Sequence, residues 1–219
     1  EYDFYLKPEM KGHFLLNSMF HGAGPRKAHP LGTVSYNPTH LNHCLTRRMT
    51  VKKPTIFFGT VAPMDANGYF CLSLGVTYEK DAIENADLVI LEVNEAMPRT
   101  GGDTWVHIRD VDFLVENTRP LPGLPPISPT EKDIAIGRYI AELVEDGSTI
   151  QLGIGGISNA AALFLAEKKD LGIHTEMLSD SVVDLVEAGA VTGKCKTLWK
   201  DKIVATFVFG SQKIYDFVN

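Results

Sequence analysis

A chain of 219 residues, 44% apolar and 22% charged, has the composition of an ordinary globular protein, with material for a sizeable core in one large domain or two smaller ones. A formal net charge of −6 argues against nucleic acid or an anionic membrane as the main partner, and no run approaches the roughly 18 consecutive apolar residues of a membrane span. Cys44, Cys71 and Cys195 are far apart, odd in number and without a CxxC pair, which suits a reducing compartment (cytoplasm or mitochondrial matrix) and not a disulfide framework.

Residues 1–7 lack a basic region ahead of an apolar stretch, so no secretory leader is expected. They also lack an initiator Met, as a processed chain or a piece of a longer one would. Residues 1–54 read as irregular, broken by Pro25, Pro30, Pro38 and Pro54. They hold a basic cluster of Arg26, Lys27, Arg47, Arg48, Lys52 and Lys53, which is either a solvated surface or a contact for a phosphorylated ligand or another subunit. His40, His43 and Cys44 lie close together, but no second ligand pair has metal-site spacing, and no metal is expected.

Thr55–Ala62 is a β-rich run. Asp65-Ala-Asn-Gly68 signals a hairpin turn, with Tyr69–Leu74 as its second arm. A short helix is expected over 77–86. Asp87–Asn94 is almost continuously apolar, as a strand covered on both faces would be. Asn94 falls at its carboxyl end, where α/β sheets tend to place groups that face ligands. Trp105–Ile108 and Val111–Val115 are further strand candidates.

Arg119–Pro129 holds five prolines in eleven residues, an extended semi-rigid linker and the best domain boundary. It ends in Ser128-Pro-Thr-Glu131, read as a capping box opening a helix over 129–146 whose apolar stripe is Ile136, Tyr139, Ile140 and Leu143. A strand over 148–152 leads into a glycine loop, with Ser158 as cap of a helix over 159–168. A strand follows over 172–177, then a helix over 181–188 capped by Ser179 or Asp180. The last elements are a strand over 203–209 and a helix to about 218. This rhythm specifies an α/β fold of open, mainly parallel sheets flanked by helices, in two partial domains, 1–127 and 128–219.

Two motifs carry the chemistry. Gly153-Ile-Gly-Gly-Ile157 follows a strand and opens a helix, so its backbone amides can hold a phosphate, a pantetheine amide or a developing oxyanion; it can equally be a tight turn needing glycine for packing. A dinucleotide site ranks second, because the G-x-G-x-x-G spacing fails at Ser158. Glu176 sits where a strand gives way to a polar loop, and a carboxylate there is a salt-bridge partner, a general base or a nucleophile. His174, two residues before it, shares its strand face, as an orienting neighbour or a core histidine.

Gln151–Ile157, Asp170–Met177 with Ser179-Asp180, and Phe209–Phe217 together resemble the acetyl-CoA hydrolase/transferase family, with closest likeness to its 4-hydroxybutyrate and butyryl-CoA:acetate CoA-transferases. Val61–Tyr69 and Glu92–Thr100 share the likeness, which covers nearly the whole chain. The resemblance implies that Glu176 is a catalytic nucleophile forming a glutamyl-CoA thioester, and that Gly153, Ile154, Gly155, Gly156 and Ile157 contact CoA. Asn94 and Gln151 carry over as acyl-side contacts, with His174 beside them as a further substrate-side candidate. It also implies acyl-CoA and a small carboxylate as substrates, no tightly bound cofactor, and a homo-oligomer or completion by a C-terminal half. Family members are about twice as long. Ser158 and Ser181 depart from the family's Pro and Gly, which puts the acyl pocket in question. An acyl-CoA hydrolase, or a non-catalytic acyl-CoA or nucleotide-binding fragment, are the alternatives.

Overall fold

The computed structural model describes residues 6–125 and 127–219; Pro126 of the proline-rich stretch and residues 1–5 lie outside the described residues. The chain divides into two compact units, Glu1–Lys53 and Pro54–Asn219, with the proline-rich stretch inside the larger.

The smaller unit is more regular than its turn formers suggest. A parallel pair, β1 (Leu16–Ser18) and β2 (Val34–Tyr36), flanks α1 (Ala23–Ala28), and α2 (Cys44–Val51) follows. The prolines fall where they cost little: Pro8 and Pro30 occupy the first turns of short 3-10 helices, where an amide hydrogen would go unused. The core is small, Ala28 and Val34 with Leu6 and Leu16 against them. All six residues of the basic cluster are exposed.

The larger unit opens with β3 (Ile56–Val61), β4 (Tyr69–Cys71), α3 (Glu79–Asn85), β5 (Leu88–Val93), β6 (Trp105–His107) and β7 (Phe113–Glu116). The expected hairpin is not a ladder. The Asn67-Gly68 turn forms, with Gly68 at φ +85° and Asp65 Oδ1 accepting from the amides of Asn67 and Tyr69. But β3 meets β4 only through the Ala62–Cys71 bridge; it pairs in parallel with β5, and β4 pairs with β6. A nonlocal partner wins because the parallel arrangement buries Val61, Val89 and Leu91 together with Phe70, Leu72, Ile83 and Val106. The sheet order is β3-β5-β7. Nor is β5 covered on both faces: Phe58 and Phe113, which flank Ile90 in register, are 62% and 59% exposed.

The remainder follows the expected rhythm: α4 (Glu131–Glu142), β8 (Thr149–Ile150), α5 (Gly156–Leu165), β9 (Gly172–Leu178), α6 (Asp180–Glu187), β10 (Val204–Val208) and α7 (Gln212–Val218). The strands are parallel in the order β10-β9-β8. Successive right-handed crossovers in one direction put α5 and α6 on one face, over a core of Leu152, Leu165, Leu171, Ile173, Val182, Leu185 and Ile214. The segment around Gly75 runs antiparallel along β10, with Val76 N–H donating to Thr206 O and Val208 N–H to Leu74 O, and so ties the two sheets into one unit.

Helix α4 begins two residues later than expected. Its cap is Thr130, paired with Asp133 in a reciprocal capping box. Its buried residues are Gly137 and Ala141, not the apolar stripe: Tyr139 and Leu143 are 68% and 84% exposed. Small residues win because α4 lies directly on α5; a Cβ at Gly137 would stand 2.7 Å from the backbone at Ala160 and Ala161.

Candidate active site

The face of the second sheet opposite its helices is uncovered, and the sequence alternation decides what it presents. Along β9, Ile173, Thr175 and Met177 are buried while His174 and Glu176 are exposed. Val204 of β10 pairs with His174, and Thr206 falls beside Glu176, between the Ala205–Thr175 and Phe207–Met177 pairs. On the other side β8 pairs Thr149 with Gly172 and Ile150 with Ile173, and the chain leaving it still runs beside β9 at Leu152, whose carbonyl lies 3.4 Å from the Thr175 hydroxyl. Two cross-strand neighbours share the open face: His174 with Val204, and Glu176 with Thr206.

Thr206 Oγ1 donates to the backbone carbonyl of Glu176 at 2.5 Å. That bond fixes the strand and leaves the Glu176 carboxylate alone; among the described residues it has neither an ion pair nor a hydrogen bond. The buried Thr175 hydroxyl lies 3.4 Å from Leu152 O and 3.0 Å from Met177 O on the opposite face. Glu176 is therefore held by its backbone, with its side chain exposed and unengaged among the described residues.

The glycine loop joins β8 to α5. Its helix starts earlier than expected: Gly155, at φ +111°, is the cap position of α5, and Ser158 lies inside the first turn. That φ is outside the range of L side chains, so glycine is required there for conformation. Gly156 is packed against the Asp133 carboxylate of α4. Bonds from Thr130, first its backbone amide and then its hydroxyl, hold that carboxyl below the usual carboxylate range. No side chain caps α5, so the amides of Gly156, Ile157 and Ser158 have no intrahelical acceptor and remain available. Ile154 and Ile157 are exposed.

At the carboxyl ends of the strands a cavity of about 470 Å3 is lined by Ile154, Gly155, Ser179, Ser181, Phe209 and Gly210, among others, where parallel sheets commonly receive ligands. Ser179 occupies the cap position of α6 but makes no capping bond; its hydroxyl lies 3.4 Å from that of Ser181. Asp180 instead accepts from the amide and hydroxyl of Ser211, joining the starts of α6 and α7. Glu176 does not line this cavity.

The structure thus sets Glu176 and His174 on one exposed face of β9, and puts Ile154 and Gly155 of the glycine loop in the cavity at the strand ends, with Gln151 exposed on the chain between β8 and that loop. It does not bring Asn94 there. Asn94 is 2% exposed at the end of β5, and its amide donates to Arg119 O and accepts from the amides of Ala96 and Arg119. Two neighbours escape sequence reasoning: Thr206, and Trp199, whose ring centroid lies 5.6 Å from that of His174. The outward phase of Thr206 in Val-Ala-Thr-Phe-Val is the one signal available beforehand.

Residues 2–125 match the model of the acetyl-CoA hydrolase/transferase N-terminal domain. A 4-hydroxybutyrate coenzyme A transferase of Clostridium kluyveri is 44% identical over 98% of this chain and 50% of its own length. A succinyl-CoA:cyclohexane-1-carboxylate CoA transferase of Geobacter metallireducens is 44% identical over 98% of the chain and 49% of its own. The crystal structure of RipA from Yersinia pestis superposes with a TM-score of 0.91 at 36% identity, over 98% of this chain and 52% of that one. The chain spans about half the length of these relatives.

Proposed function

Because the chain belongs to the acetyl-CoA hydrolase/transferase family, we propose that it carries the nucleophile-bearing part of a CoA-transferase acting between an acyl-CoA and a small carboxylate. The observation that carries this reading is Glu176: a carboxylate on the central strand of a parallel sheet, exposed, next to the strand that leads into a glycine loop, and without a side-chain partner among the described residues.

The chemistry balances without a resident cofactor. A Glu176 carboxylate oxygen attacks the thioester carbonyl, and the carbon–sulfur bond breaks to give a mixed anhydride and CoA thiolate. The thiolate attacks the glutamyl carbonyl, releasing the first carboxylate and leaving a glutamyl-CoA thioester. The acceptor carboxylate repeats both steps in reverse, so the kinetics are ping-pong. Each addition places negative charge on a carbonyl oxygen, which amides at the start of α5 are suited to receive. Ile154 and Ile157 offer apolar surface beside those amides, and Gln151 and His174 line the approach along the strand. CoA enters as substrate and leaves as product.

The test uses the full natural protein. Incubation with acyl-CoA followed by borohydride reduces a glutamyl-CoA thioester to the alcohol, so activity is lost irreversibly and the mass changes at Glu176. Glu176→Ala should lower kcat/KM by about a thousandfold or more. Full activity in that variant, or no adduct on intact protein, overturns the assignment. Water reaches the same open face, so hydrolysis is the second reading; turnover of acyl-CoA with no acceptor acid separates the two.

A further inference from the structure

The loop between α6 and β10 is built to hold an indole in solvent. Lys196 within it is 5% exposed, and its ammonium donates to Ile173 O at 2.9 Å and to Lys202 O at 2.5 Å. No carboxylate answers it among the described residues, and burial pushes its pKa down. This clamps the loop to β9 at the residue preceding His174. The loop closes on itself as Asp201 N–H donates to Gly193 O. Trp199 stands at its tip, 56% exposed, with φ +49°. A bulky L residue rarely adopts that left-handed conformation, and such outliers persist where the surroundings over-determine them. Here the clamp does so, and it holds the indole against His174 with the ring planes tilted by 56°.

Position along the strand gives the indole a job. Glu176 lies two residues beyond His174, so the Trp199 ring, 5.6 Å from the His174 ring, stands within roughly 12 Å of the nucleophile's strand position. Carbon–carbon bonds are about 1.5 Å. An acetyl group bound to the nucleophile ends one bond past its carbonyl and stops short. A six- to eight-carbon chain, or a ring, spans roughly 6–9 Å and meets the indole face. A cavity of about 670 Å3 is lined by Trp199, Val204, Thr206, Leu74, Val76 and Gly101; Glu176 and His174 do not line it, but Thr206, the cross-strand neighbour of Glu176, does.

We propose that Trp199 is a specificity-determining residue for the acyl group, forming the far wall of an acyl site that favours extended apolar or cyclic acyl chains over acetyl. This rests on Glu176 being the nucleophile. In the full natural protein, Trp199→Ala should raise KM for hexanoyl-CoA about tenfold or more and leave acetyl-CoA within about twofold, with Trp199→Phe restoring most of the loss. Trp199→Asn, which tolerates the left-handed backbone, should show the same selectivity with an unchanged or raised melting temperature. Equal losses for every acyl-CoA would overturn the proposal in favour of a contact with the CoA arm, and no loss would overturn it outright. A second readout does not depend on turnover. In a Glu176→Gln background, the emission difference between protein that keeps Trp199 and its Trp199→Phe variant should shift to the blue with hexanoyl-CoA and stay put with CoA alone. If Glu176→Gln turns over normally while that shift appears, the nucleophile assignment fails and the acyl wall stands.

Discussion

The two three-stranded parallel sheets of the larger unit are alike in layout and opposite in what they do with a glutamate. Each carries one on the open face of its central strand, beside a threonine on an edge strand: Glu92 with Thr60, and Glu176 with Thr206. In the first sheet Thr60 Oγ1 lies 3.4 Å from the Glu92 carboxylate, Asn117 Nδ2 donates at 3.0 Å, and Arg119 pairs with it at 3.0 Å. Glu92 is 7% exposed, and its lone pairs are spent on joining β5 to the chain that leaves β7. In the second sheet the corresponding threonine bonds the backbone instead, and no arginine or asparagine among the described residues descends on the carboxylate. A carboxylate becomes architecture when donors are delivered to it, and is left open to solvent when they are withheld.

The largest effects should separate these two roles. Glu176→Gln should abolish most activity with no change in melting temperature, since it removes an exposed side chain without structural partners. Glu92→Ala should cost about 2–3 kcal/mol, because Arg119 and Asn117 lose a buried acceptor, while activity per folded molecule is kept. Denaturant midpoints and steady-state rates on both variants check this; activity loss of similar size in both would erase the distinction. Next in size is Gly137→Ala. Its Cβ meets the α5 backbone, so α4 and α5 must part at a cost of about 1–3 kcal/mol. If the proposed nucleophile Glu176 depends on the loop that α5 anchors, kcat should fall by more than the loss of folded protein explains.

The smallest effect is a pH dependence. Asp133, under Gly156, titrates below the ordinary carboxylate range because of its bonds from Thr130. Its stabilisation is therefore complete above about pH 4 and is lost as pH falls through its lower folded value. Melting temperatures of the wild type and Asp133→Ala should differ near neutrality and converge in acid. Parallel curves down to the lowest pH would detach the capping box from the loop's support.

Much of the second sheet was legible in the sequence because its signals are local: apolar strand cores, glycines that end helices, and the two-residue phase that sets His174 and Glu176 outward. What failed were judgements about partners. The Asn67-Gly68 turn is real, yet β3 pairs with a strand about thirty residues away. The stripe Ile136–Leu143 has helical spacing, but spacing says only that a face is apolar, and α4 buries the small face of Gly137 and Ala141 instead. Glu92 and Glu176 look equally eligible in the sequence. The donors that retire Glu92 come from Asn117 and Arg119, 25 and 27 residues further on, and no local pattern announces them.

The φ of +111° and ψ of 176° at Gly155 make one more demand. Reflected, these angles are those of an ordinary extended L residue, so the backbone here has the handedness of the mirror-image chain. The loop that opens α5 thus asks position 155 for an achiral residue. A D-alanine introduced by semisynthesis would satisfy the same torsions, whereas an L-alanine, the smallest change the genetic code can make in side-chain volume, would have to unwind the start of α5. Stereochemistry thus pins position 155 and the Asp133 carboxylate pins Gly156 beside it, two different reasons for two adjacent glycines.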